Sequence, residues 1–233
     1  MASLRPSRKL AWFLAGDLFL AVVVCSPLDQ LARHYLLTAE IIEQMLIAMV
    51  ATYALVLGTP ERVVRRLRLD RLSLPYYFAW ITGMAVLTIS HSGRVLNPTQ
   101  TSETVRYAEF AILLASGAVF WWPLHSPLRE QRIPLMPNSL FYLAAAVVWC
   151  SFLGLVLAFE QPGEYYVKSL DPLRIAESLT RDWSFTPEND QETAGLLFWI
   201  GAIAILLTEV MLVYYRWYTS PEDQKTCPYA PDR

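Results

Sequence analysis

Residues 38–58 read TAEIIEQMLIAMVATYALVLG. At the 1.5 Å rise of a helix this stretch spans about 30 Å, the thickness of a hydrocarbon core. Its apolar character is broken near the start by Glu40, Glu43 and Gln44. An ionisable side chain in hydrocarbon costs roughly 2.5–3.5 kcal/mol on insertion scales unless it finds a partner or water. Two carboxylates and an amide this close together must therefore point into a bundle, toward a site or toward structural partners.

The rest of the chain fits such a bundle. Of its 233 residues, 55% are hydrophobic and only 17% charged, a balance that excludes an ordinary soluble domain. Five further apolar runs lie at about 10–26, 75–91, 106–124, 138–159 and 193–216. The expectation is an all-α integral membrane protein of about six transmembrane helices, forming a single transmembrane domain over 1–233. The first run follows Arg5, Arg8 and Lys9 as a signal peptide would. Its length, Asp17 inside it and the lack of a small-x-small cleavage site favour a retained helix.

Lys and Arg set the orientation. If the N-terminus is cytoplasmic, the first three inner segments hold ten basic residues, five of them in the cluster Arg62, Arg65, Arg66, Arg68 and Arg71. The outer segments hold five: Arg33, Arg94, Lys168, Arg174 and Arg181. This bias puts both termini in the cytoplasm. The loop 160–192 carries eight acids against three bases and reads as an extracytoplasmic cap, with Tyr165, Tyr166, Leu170, Trp183 and Phe185 as apolar points for docking. Residues 217–233 form a cytoplasmic tail. Beside a membrane span, the arginine cluster is topogenic and faces lipid headgroups, so no nucleic acid is expected as a partner.

Local signals agree with these bounds. Ser26-Pro27, Gly58-Thr59-Pro60 and Pro75 punctuate the first three runs. Phe120-Trp121-Trp122 and the group Tyr214, Tyr215, Trp217 and Tyr218 sit where an aromatic belt belongs. The amphipathic stretch 28–37, LDQLARHYLL, suits the outer interface. Cys25, Cys150 and Cys227 form no metal or redox spacing.

The topology brings polar side chains of four segments to one depth: Glu40, Glu43 and Gln44; His91; Arg106 and Glu109; Asp190 and Gln191. Glu40 and Gln44 share a helix face at i and i+4, and Arg106 can meet Glu109 at i and i+3. Three readings compete. As structure, Arg106 pairs with one glutamate while Gln44 bonds backbone or Asp190. As a metal site, Glu40, Glu43, His91 and Glu109 offer oxygen and imidazole ligands, better for Mg, Mn, Zn or Cu(II) than for Cu(I). As a proton or ion relay, a glutamate chain would open on the outer surface. With one histidine and an arginine present, structure is favoured and no cofactor is assigned, copper being the metal to test. Met45 and Met49, at i and i+4, are packing residues in the absence of a third soft ligand. Asp17 and Glu209 are further intramembrane acids, expected to contact another helix, including one of a partner subunit. His34 and His125 lie in separate interface segments with no nucleophile motif, so catalysis has no support.

Several segments together resemble the cytochrome c oxidase assembly factor CtaG family. They are Ser26-Pro27-Leu28-Asp29, VLGTP at 56–60, FWWPL at 120–124 and DQETAGLLFWI at 190–200. The similarity runs over about 26–217. It implies a bacterial or archaeal inner-membrane protein, required to form a copper-containing cytochrome oxidase and helping to supply its copper. The departures are as informative. Where that family opens its second helix with His-x-x-x-His, this chain has Glu40 and Gln44. The later His-x-x-Glu-His falls on Arg106, Glu109 and Phe110, which keeps the glutamate alone, whereas His91 matches. Imidazole binds copper far better than amide or guanidinium. The resemblance therefore implies a divergent, non-catalytic member with a degenerate metal site, bound to lipid and to oxidase subunits as assembly factor or accessory subunit. The alternative is a metal chaperone or transporter with an outward carboxylate and histidine site.

Overall fold

The computed structural model of the chain describes residues 6–34, 36–68, 75–134, 136–160 and 187–219. Those residues form helices and short connections, with no strand among them. Lipid demands this, because every backbone polar group must be satisfied within its own segment. In chain order the helices are α1 (Pro6–Cys25), α2 (Pro27–His34), α3 (Leu37–Gly58), α4 (Glu61–Arg66) and α5 (Tyr76–Ser90). They continue with α6 (Gly93–Thr101), α7 (Glu103–His125), α8 (Asn138–Phe159) and α9 (Pro187–Thr219). The apolar points of the expected cap, Tyr165 to Phe185, and Cys227 in the expected tail lie outside the described residues.

Among the described residues four helices, α3, α7, α8 and α9, are long and apolar enough to cross a membrane. The pair α1 and α2 makes a fifth when taken as one broken span, bent by 48°. This is fewer than the six expected, and the breaks explain the difference. Pro27 has no N–H to continue the ladder of α1, and the Leu28 N–H turns instead to Ser26 Oγ at 3.2 Å. The run at 75–91 yields only the 15 residues of α5, about 22 Å of helix, short of a 30 Å core. His91 closes that helix through its N–H to the Leu87 carbonyl, and the Ser92 carbonyl then starts α6 by accepting from Val95 and Leu96.

α3 is the centre of the bundle, with 67% of its span buried against 28% for α9. Leu46–Ala51 forms a π-helical segment within it, after which the Thr52 N–H reaches back to the Ile47 carbonyl. A π turn rotates the following helix relative to a continuous α-helix. Lipid tails are as apolar as leucine, so the helices are held by close packing. A Cβ at Gly117 of α7 would stand 2.8 Å from Thr52 Oγ1 of α3, so only glycine admits this crossing. Gly154 of α8 and Gly195 of α9 meet Trp199 and Ala158 just as closely, at 2.7 Å for an added Cβ.

These contacts fix the directions. Phe13 lies on Gly58 and Gly16 on Leu55, so α1 runs antiparallel to α3. Arg106 lies by Glu43 and His125 by Tyr53, so α7 runs with α3. Asp190 meets Leu37 and Glu209 meets Tyr53, so α9 does the same. The bundle thus has an Arg106 end and a His125 end, each with its own buried polar cluster.

Candidate functional site

At the Arg106 end the first turn of α7 pushes a guanidinium into the bundle, where Arg106 is 1% exposed. Asp29 of α2 accepts from its Nε at 3.3 Å and its Nη2 at 3.1 Å. Glu43 of α3 accepts from the same Nη2 in a short contact, and Glu40 Oε1 lies 3.8 Å from Nη1. Below, the Phe110 ring sits 4.9 Å from the guanidinium carbon as a cation–π support. Three carboxylates therefore surround one permanently charged cation.

Two of the three acids, Glu40 and Asp29, have a second tether. Thr99 of α6 donates to Glu40 at 3.0 Å, and Arg33 Nε pairs with Asp29 at 2.8 Å, one turn along α2. Arg33 continues outward to Glu103 and to the Tyr107 hydroxyl, each at 3.0 Å. Gln44 donates to Glu109 Oε1 at 3.1 Å. Gln44 thus bonds a carboxylate across to α7, where backbone or Asp190 had been expected. The geometry is that of a polar tie between helices, because hydrogen bonding and pairing offset the cost of burying the charges.

Asp190 and Gln191 lie in the first turn of α9 and finish two other helices. Asp190 accepts from the N–H groups of Leu37 (2.6 Å) and Thr38 (3.0 Å), capping α3, and its carbonyl accepts from Thr38 Oγ1. A carboxylate suits a helix N-terminus, where free N–H groups and the dipole favour negative charge. Gln191 donates to the Glu160 and Leu157 carbonyls at 2.8 and 3.3 Å, closing the C-terminal end of α8. His91 takes a separate place, with Nδ1 donating to the Leu87 carbonyl at 2.8 Å and its ring packed on Phe198.

Among the described residues no three His, Cys, Asp or Glu side chains are arranged to hold a metal ion. Copper does not fit the cluster: the donors are carboxylates and an amide, and the cation position belongs to a guanidinium. Met45 and Met49 are buried in the apolar core, Met45 against Gly201 of α9.

The second cluster lies at the opposite end. Glu209 of α9 meets His125 Nε2 of α7 at 3.1 Å, accepts from the Tyr53 hydroxyl of α3 at 2.9 Å, and has Arg216 at 3.9 Å. Tyr53 and Trp121 pack edge-on and tilted against the His125 ring. Glu209 is 2% exposed and contacts α3 and α7 of its own chain. Asp17, by contrast, is exposed on α1.

Sequence reasoning missed Asp29, Thr99, Tyr53 and His125 as cluster members. Asp29 carried a signal, its i,i+4 spacing from Arg33 on an amphipathic stretch. Thr99 and Tyr53 carried none.

Fold and site together define a multi-pass helical membrane protein with a buried polar tie at each end. The chain belongs to the cytochrome c oxidase caa3 assembly factor family (Caa3_CtaG), which matches it over residues 2–220. Neither a curated protein nor a solved structure matches it with significance.

Proposed function

We propose that this protein is a non-catalytic scaffold that binds a cytochrome oxidase in the cytoplasmic membrane of a bacterium or archaeon, during assembly or as an accessory subunit. In this reading the Arg106 end faces outward and the His125 end, beside the arginines of α4, faces the cytoplasm. The observation that carries it is the filling of the family's histidine positions. Glu40, Gln44 and Arg106, with the retained Glu109, come together in space, but as an ion-paired tie around a built-in cation. A metal carrier needs a site that opens to its cargo. A scaffold needs helices held in register, which is what such a tie supplies.

The test is deletion of the gene, with oxidase activity, haem spectrum and copper content measured in membranes. The expected result is loss of assembled oxidase, restored by the wild type and by His91→Ala. Metal analysis of the purified protein is expected to give no stoichiometric metal. Stoichiometric copper that disappears in Glu43→Gln and in His91→Ala would overturn the scaffold reading in favour of a chaperone.

A further inference from the structure

α1 lies at the edge of the bundle. It packs on α3 through Gly16 and Phe13, and among the described residues the side next to that contact is uncovered. Along that side Leu10, Leu14, Asp17 and Ala21 follow one another at spacings of four, three and four, which aligns them on one helix face. All four are exposed, with Leu18 and Val22 flanking them. Exposed leucines on a membrane helix need no explanation, since lipid solvates them. Asp17 does. It stands eight residues from Cys25 and eleven from Pro6, about 12 and about 16 Å of helix from the two ends. So short a side chain cannot reach water across that distance. Among the described residues Asp17 has no hydrogen-bond or ion-pair partner, in contrast to Asp29, Glu40, Glu43 and Glu209. Asp29, Glu40, Glu43 and Glu209 each meet at least one partner inside the chain, and exposed Asp17 meets none among the described residues.

We infer that the stripe of Leu10, Leu14, Asp17 and Ala21 is a docking surface for a membrane-spanning helix of an oxidase subunit, which presents a basic or hydroxyl donor to Asp17. The identity of the partner rests on the assembly role proposed above; the existence of the surface rests on the carboxylate. Charge complementarity selects the occupant. A carboxylate in hydrocarbon is costly until a donor meets it, and the small Ala21 one turn away lets a second backbone approach closely. A second copy of this chain fits poorly, because a twofold contact along the stripe would set Asp17 against Asp17.

The experiment places a photo-crosslinking residue at Leu14 or Leu18, in cells that make the oxidase, with Phe152 of α8 and Met211 of α9 as exposed controls. Leu14 and Leu18 are expected to capture a membrane-spanning oxidase subunit, identified by mass spectrometry, and the controls to capture none. Asp17→Leu is expected to lower the yield roughly threefold to tenfold, the range of one interhelical polar contact in a membrane, with Asp17→Asn between the two. Asp17→Leu removes a charge from lipid, so the variant inserts at least as well as the wild type, and an unchanged melting midpoint in detergent verifies it. Lipid adducts alone, dimers of this chain, or an undiminished yield in Asp17→Leu would each overturn the inference. If gene deletion still abolishes oxidase assembly in that case, the assembly role stands and only the surface is wrong. If deletion leaves assembly intact, the role itself fails, and a crosslink to any other protein overturns the partner named here.

Discussion

At the Arg106 end a guanidinium, charged at any physiological pH, is enclosed by carboxylates from α2 and α3. At the His125 end a carboxylate meets an imidazole and a phenol, with an arginine at the edge of reach. Both clusters join α3 to α7, and further elements join them: α2 and α6 at one end and α9 at the other. In the first the guanidinium lies inside the cage, 1% exposed, whereas in the second Arg216 stands at the edge, 3.9 Å from Glu209. The Arg106 cluster is therefore closed around its cation, while Glu209 at the other end is held chiefly by an imidazole and a phenol. In a bundle without a hydrophobic driving force between helices, such ties define register where packing alone leaves it loose.

The largest effect should come from emptying the cage. Arg106→Ala leaves buried carboxylates with no cation and should cost about 3–5 kcal/mol, read as a fall in the melting midpoint in detergent. Arg106→Met combined with Glu43→Gln should recover most of it, because a neutral, well-filled pair leaves no orphan charge. A single Arg106→Ala that melts like the wild type would show that the carboxylates are not held by pairing, and the contrast between the ends would fall.

At the His125 end a double-mutant cycle of Glu209→Gln and His125→Phe should give a coupling of about 1–3 kcal/mol, the range for residues in one network. A coupling near zero would make Tyr53 the principal partner of Glu209. Removing the cap with Asp190→Ala should cost about 1–2 kcal/mol, since two N–H groups of α3 lose their acceptor. Hydrogen exchange at Leu37 and Thr38 should rise with it, while the His125 end stays protected.

Much of the Arg106 end could be read from spacing. Glu40 and Gln44 share a face at i and i+4, and Arg106 and Glu109 at i and i+3, so their convergence follows once the two helices run side by side. The partners on other elements could not. Asp29 and Thr99 reach the cage only because α2 and α6 fold back over it, and nothing in their own segments announces the target. Asp190 caps α3 from 153 residues away, whereas cap signals in sequence are local. The His125 end was less legible still: Tyr53 and Glu209 are 156 residues apart, and Tyr53 looks like any core aromatic. Span counting failed where length and hydropathy disagree with the turn chemistry of Ser26-Pro27 and His91-Ser92.

The smallest effect belongs to an ion pair that is short but open to solvent. Arg65 Nη2 lies 2.7 Å from Glu61 on α4, one turn apart, but both side chains are half exposed. Water and salt screen such a pair, and two long side chains lose freedom to form it, so Glu61→Ala should change stability by less than about 0.5 kcal/mol. The Arg106 contact to Asp29, at 3.1 Å, is longer, yet its loss is expected to matter far more. Burial, rather than distance, sets the ranking, because an orphaned charge in water is solvated and one inside the bundle is not. Melting midpoints for Glu61→Ala and Arg106→Ala, measured in the same detergent with and without added salt, decide between the two. Salt should leave the Arg106→Ala deficit in place, and a deficit that shrinks with salt would place the cage in contact with solvent.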